Sequence, residues 1–222
     1  MDPTKEFYNR FAGIGVGLTG TTPDHSADIE RTIIEATEYV EVERGRLIGL
    51  LASWISVHGG LVNVTRLKRL LAAEASGDKQ MIAALAFLAV ANGFHTWKPL
   101  CKKYPEKALW GESTLRALKF KKTQKDFKRA GLLFPEDFLR IRESDILEIE
   151  KLAKTHRLIH YRLLFGVNPR ADVAFYLSNR GEKNSTRQEI MKAVCCSYEP
   201  IYRILRNFTT AGVTQSLRQQ RI

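Results

Sequence analysis

Apolar side chains recur along the first half of the chain with the period of an α-helix. Ile29, Ile33, Ala36, Val40, Leu47, Leu51 and Trp54 follow one another at spacings of three, four or seven. That pattern predicts one helix over 28–57, with Ser26 or Asp28 as its N-cap and His58-Gly59-Gly60 as its end. A second helix is expected over 64–73 and a third over 79–91. The third is so rich in Ala and Leu that its place is between other helices, and Asn92-Gly93 terminates it. No stretch of this half alternates with period two, so it reads as mainly α. Residues 1–26, rich in Gly and Thr, read as an irregular lead-in.

From 94 to 142 the pattern weakens, punctuated by Pro99, Pro105, Gly111, Gly131 and Pro135. Between Arg116 and Arg129 seven of fourteen residues are basic, with Leu118, Phe120 and Phe127 interleaved. The run fits either a backbone-phosphate patch or the wet face of an amphipathic helix. A helix over 143–165 then leads to a joint at Gly166-Val167-Asn168-Pro169. The expected organisation is a lead-in over 1–26, a helical domain over 27–142, and a linker helix with a C-terminal domain over 143–222.

The last sixty residues carry the sharpest signals. A helix is expected over 170–177, with Ala171, Val173, Ala174 and Leu177 on its inner side. Ser185 can cap the next helix, with Gln188 reaching back in a capping box, and Ile190 and Val194 lie four apart on one face. A tight turn at Cys195-Cys196 precedes a second cap, Ser197. Pro200 falls in the first turn of the following helix, where its missing N–H costs nothing. That helix carries the apolar stripe Ile201, Leu205 and Phe208, Gly212 closes it, and 213–217 can extend as a strand.

In this order of elements, residues 165–217 resemble the winged helix-turn-helix domains of bacterial and archaeal transcription regulators. The likeness rests on Gly166-Val167-Asn168-Pro169-Arg170-Ala171-Asp172-Val173 and on Ser185, Ile190, Ser197-Tyr198, Ile201-Tyr202, Leu205 and Ala211-Gly212-Val213. Two features depart from it: Cys195 stands where the turn often has glycine, and only one strand is expected for the wing. The resemblance implies a mainly α protein, a helical N-terminal region followed by a winged-helix-like trihelical DNA-binding domain with an abbreviated wing. It also implies a DNA-binding transcriptional regulator, reading double-stranded DNA with helix 198–210 and acting as a homodimer on two-fold operators.

The charge agrees with a polyanion partner. The net charge is +11, and it is uneven: residues 1–95 carry 9 basic and 11 acidic side chains, residues 96–165 carry 17 and 9, and residues 166–222 carry 9 and 4. With Ile201, Leu205 and Phe208 turned inward, the other side of the last helix presents Tyr198, Glu199, Tyr202, Arg203, Arg206 and Asn207. Arg203 can pair with a guanine edge and Asn207 with adenine, while Tyr202 can meet a thymine methyl or a phosphate. Ser185, Thr186, Arg187 and Ser197, near helix starts, are expected at phosphates, as are Lys121, Lys122 and Lys125 of the basic run. Glu199 argues the other way, because a carboxylate in the groove repels phosphates. The alternatives are a protein–protein adaptor whose basic trihelical end docks an acidic partner, and an RNA-binding protein using the basic middle segment.

Enzyme chemistry finds little footing, so no catalytic residue, metal or cofactor is expected. Gly15 and Gly20 have the spacing of a phosphate-cradling loop, but Thr21 stands at its lysine position and no apolar strand precedes it. His156 and His160 are spaced for a metal clamp, yet the glutamate of HExxH is missing and Arg157 and Arg162 flank them; surface or interface histidines are the expectation. The three cysteines form no CxxC pair. The adjacent Cys195 and Cys196 suggest a core thiol beside an exposed one, or else a vicinal disulfide. The longest apolar run, residues 81–91, is about half a bilayer span, and no signal-like segment opens the chain. The expectation is a cytoplasmic protein with no membrane partner.

Overall fold

A computed structural model describes residues 2–42, 45–73, 77–180 and 185–212. It is mainly helical and divides into two compact units, residues 1–155 and 156–222. The boundary expected at 142/143 therefore falls at 155/156. No single helix among the described residues is long and apolar enough to cross a membrane.

The first unit opens with a helix where an irregular segment was expected. Helix α1 (Pro3–Gly13) starts on Asp2, whose carboxylate accepts from the Thr4 amide at 3.0 Å, with Pro3 in its first turn. Phe7 and Phe11, four apart, are fully buried, and Phe7 stacks on Tyr39 at 4.4 Å. Two phenylalanines among polar neighbours give too thin a stripe for sequence periodicity to register. The helix expected over 28–57 is two: α2 (Ile29–Val42) and α3 (Arg46–His58), broken near Gly45, whose φ of 93° no helix accepts. Asp28 serves as the cap of α2, accepting from the Arg31 amide. Helices α4 (Val64–Ala73) and α5 (Lys79–Ala91) fall on their expected residues. Residues 81–86 of α5 are all buried, in a helix that packs against α2, α3 and the short helix formed by residues 125–129.

After α5 come the pair of two-residue parallel strands and three short helices. These are β1 (Lys107–Ala108), α6 (Glu112–Leu118), α7 (Lys125–Arg129), β2 (Leu132–Leu133) and α8 (Ile149–Thr155). The basic run 116–129 is thus not the face of one helix. It is spread over α6, a loop and α7. Trp54 and Trp97 anchor the core, and each indole N–H donates to a backbone carbonyl, of Ile14 at 2.8 Å and of Gly59 at 2.9 Å.

A buried ionic cluster ties the start of α2 to the start of α4. Arg66 (5% exposed) donates to Glu30 (0% exposed) at 2.6 Å and to Asp28 at 2.7 Å. The other oxygen of Glu30 accepts from the Asn63 amide, and Asn63 in turn accepts from the amide of Arg66. A charge so enclosed persists only because every neighbour compensates it.

The second unit begins where the helix expected over 143–165 breaks. His156 is extended (φ −101°, ψ 104°) between α8 and α9 (Arg157–Phe165), and its Nδ1 accepts from the Ile159 amide. It is a buried helix cap, where a surface or interface histidine was expected, while His160 is exposed. Helices α10 (Pro169–Arg180), α11 (Arg187–Val194) and α12 (Tyr198–Thr210) follow. Arg162 of α9 and Asp172 of α10, both nearly inaccessible, pair at 2.7 Å. Val173, Ile190, Val194, Cys196, Ile201, Ile204, Leu205 and Phe208 make one apolar cluster. The strand expected over 213–217 lies outside the described residues.

Removing one partner of a buried ionic cluster strands the others, so Arg66→Met is expected to destabilise the first unit by about 3–5 kcal/mol, read by chemical denaturation. A second expectation concerns pH. His58 is buried and hydrogen-bonded to the Leu147 carbonyl at 2.8 Å; burial holds its pKa below the ordinary value. The unfolded chain therefore takes up this proton first, and stability present above about pH 6.5 falls as the pH drops below it. Replacing His58 by Gln should flatten that part of a stability–pH profile.

Candidate nucleic-acid interface

Helix α11 is set by a capping box one residue later than the sequence suggested. The cap is Thr186, not Ser185, and the partner is Glu189, not Gln188. The Thr186 amide donates to Glu189 Oε2 at 2.7 Å, and the Glu189 amide donates to Thr186 Oγ1 at 3.3 Å. A carboxylate accepts more strongly than an amide oxygen, which favours this register. The Thr186 amide and hydroxyl, helped by Arg180, hold the Glu189 carboxyl below its usual pKa. Arg180 also donates to Ser185 Oγ at 3.2 Å. Ser185 is buried, with its hydroxyl taken up by Arg180.

Only Cys195, Cys196 and Ser197 join α11 to α12. Cys195 adopts the left-handed conformation (φ 52°, ψ 46°), the geometry glycine usually supplies at this point. The amides of Cys195 and Cys196 both return to the Met191 carbonyl. Cys196 then turns into the core while Cys195 stays partly exposed, its thiol directed at the Lys192 carbonyl; both are free thiols. Ser197 occupies the N-cap position of α12 and is exposed, but its hydroxyl makes no capping bond.

Helix α12 is sharply two-sided. Ile201, Ile204, Leu205 and Phe208 are buried against α10 and α11. Tyr198, Glu199, Tyr202, Arg203, Arg206 and Asn207 are all exposed. Tyr198 and Tyr202 stack at 6.0 Å, and Arg187, reaching over from α11, donates to Tyr198 Oη at 3.2 Å and lies 5.5 Å from the Tyr202 ring. Arg203 is held by Glu199 at 3.0 Å, whereas Arg206 has no carboxylate partner among the described residues. An exposed helical pair such as Glu199–Arg203 is weak, about 0.2–1 kcal/mol, so a phosphate or base edge can displace the carboxylate. Residues 185–212 hold four basic and two acidic side chains.

Thr186, Arg187, Ser197, Tyr198, Tyr202, Arg203, Arg206 and Asn207 therefore belong to one two-helix surface. Lys121, Lys122 and Lys125 lie in the other unit. Lys121 is engaged with Asp137 at 2.6 Å and with the Phe138 ring, while Lys122 and Lys125 are exposed. Sequence reasoning missed Arg180, whose role depends on a contact nine residues away, and Phe120, which the alternation of basic and apolar residues made look like its buried neighbour Phe127. Among the described residues, no three His, Cys, Asp or Glu side chains converge as a metal site would require. No protein-family model, curated protein or solved structure matches this chain.

The turn and the cap that orient this surface can each be checked. Cys195→Gly should raise stability by about 1 kcal/mol, since glycine bears the left-handed conformation without strain, while Cys195→Val should lower it. Thr186→Ala should lower it by about 1 kcal/mol. Thermal unfolding followed by far-ultraviolet circular dichroism reads all three on the helical signal.

Proposed function

We propose that this protein binds double-stranded DNA, with α12 lying in the major groove and α11 crossing the backbone beside it. One observation supports the reading above the others. A 13-residue helix buries a continuous apolar stripe, turns seven polar, aromatic or charged residues outward, and is joined by three residues to a capped helix at its side. A helix so backed and so exposed has the width and chemistry a major groove admits. The order α10, α11, turn, α12 is also that of a winged helix-turn-helix, and we include that finer assignment in the proposal, with regulation of transcription as its biological use. A two-fold operator would then be met by two copies of the chain.

Within this reading Arg206 is the freest cation for a guanine edge. Arg203 exchanges Glu199 for the nucleic acid, and Asn207 is placed for adenine. Arg187 and the two tyrosines form a rigid corner for the adjacent phosphates, with the Thr186 end of α11 supplying amides. An adaptor docking an acidic protein would use the same cations without showing preference among duplex sequences.

Binding is expected to weaken steeply with salt, because each neutralised phosphate releases counterions. A preferred duplex is obtained by selection from a random pool and compared with a scrambled one by electrophoretic shift. Arg206→Ala and Arg203→Ala should each lose about 1–3 kcal/mol on the preferred duplex and less on the scrambled one. Equal losses on both duplexes would remove base reading by α12, and no shift with either would falsify the DNA assignment itself.

A further inference from the structure

The loop between α6 and α7 holds out a phenylalanine that the fold does not use. Phe120 is 90% exposed, whereas Phe127, in the same basic run, is fully buried. The loop is fixed at its base. The Lys122 carbonyl accepts from the Glu136 amide at 2.8 Å, the Gln124 amide donates to the Phe134 carbonyl at 2.8 Å, and Thr123 bridges Pro135. Lys121 is tied to Asp137 and lies over the Phe138 ring, and the Phe120 amide donates to the Ala117 carbonyl. Phe120 thus leaves a pinned backbone and projects into solvent. Lys119, Lys122, Lys125 and Lys128 are exposed around it in sequence and meet no carboxylate among the described residues.

We propose that this loop is a second nucleic-acid contact, in which Phe120 stacks on an unpaired base of a single strand and the four lysines take the neighbouring phosphates. An aromatic face satisfies any base, and ammonium groups satisfy the backbone on either side, so the combination suits a strand without sequence preference. A duplex would have to unstack a base step to admit the ring, whereas an unpaired base already offers its face. A membrane surface fits less well. Interfacial helices bury an extended apolar side, and here the short helix before Phe120 exposes Leu115 together with the charged Glu112 and Arg116. The contact uses no residue of α12 and stands or falls separately from the duplex reading.

The full-length chain is titrated, by fluorescence anisotropy, into a labelled single-stranded oligodeoxyadenylate of about twenty nucleotides, long enough for several stacking sites. Phe120→Ala, exposed and therefore neutral to folding, should weaken this binding about tenfold or more, and Phe120→Trp should restore it. Lys122→Ala should reduce the salt dependence of the wild-type affinity, while Phe120→Ala leaves that dependence unchanged. The same variants are titrated into a duplex of matched length, where Phe120→Ala should leave affinity within about twofold, since no stacking on a free base is lost there. The proposal is overturned if wild type fails to bind the single strand, if Phe120→Ala binds it as wild type does, or if Phe120→Ala loses only affinity for phosphatidylserine vesicles. Wild-type protein that binds the single strand but no duplex supports this loop and counts against α12 alone.

Discussion

Everything presented by the second unit follows from how three residues turn the chain between α11 and α12. With so short a connection, the direction in which α12 leaves is fixed by the left-handed backbone at Cys195 and by the burial of Cys196 immediately after it. Once Cys196 is in the core, helical geometry places Ile201, Ile204, Leu205 and Phe208 on the same inner side. The outward residues have no freedom left. Tyr198, Tyr202, Arg203, Arg206 and Asn207 face solvent because their neighbours cannot, and Arg187 meets the tyrosines because the capping box has set where α11 begins.

Internal pairing decides which of the many cations remain available. The net charge of +11 suggests a diffusely basic molecule, but several of its arginines and lysines are already answered within the fold. Arg66 and Arg162 are buried against carboxylates; Arg10, Lys107 and Lys121 pair at the surface with Glu35, Glu41 and Asp137. Among the cations that meet no carboxylate within the described residues are Arg206 on the outer side of α12 and Lys119, Lys122, Lys125 and Lys128 in the run that passes through α7. Desolvated pairs of the Arg66 kind hold elements in register and contribute nothing to long-range attraction, whereas the exposed lysines contribute little to the fold and much to the approach of a polyanion.

Where periodicity was dense, the chain was readable. Helices α4 and α5 begin and end where their apolar stripes do, and α12 carries three anchors of its inner side in plain sight. Legibility failed where a single residue overrode the pattern. Gly45 cuts a stripe that continues in phase from Val40 to Leu47, and His156 interrupts another by capping the helix that follows. Helix α1 was invisible because Phe7 and Phe11 are the only large side chains it buries, beside the small Ala12 and Gly13. The displacement of the cap from Ser185 to Thr186 reflects a contest between adjacent, chemically similar residues. Glu189 and Arg180 decided it, and Arg180 acts from another helix. At the surface, the same limit applies to Phe120. Exposure is a property of what is missing from the surroundings, and a sequence does not record what fails to pack.

The indole groups are distributed in a way that has a practical consequence. Trp54, Trp97 and Trp110 all fall in the first unit, where each ring nitrogen is bonded to a main-chain oxygen. Residues 156–222 include tyrosines but no tryptophan, and two of the tyrosines stack at the surface. Indole fluorescence excited beyond the phenol band consequently reports on the first unit and not on the second. The first unit thus carries an optical label of its own by composition, and its unfolding can be followed without attaching a dye.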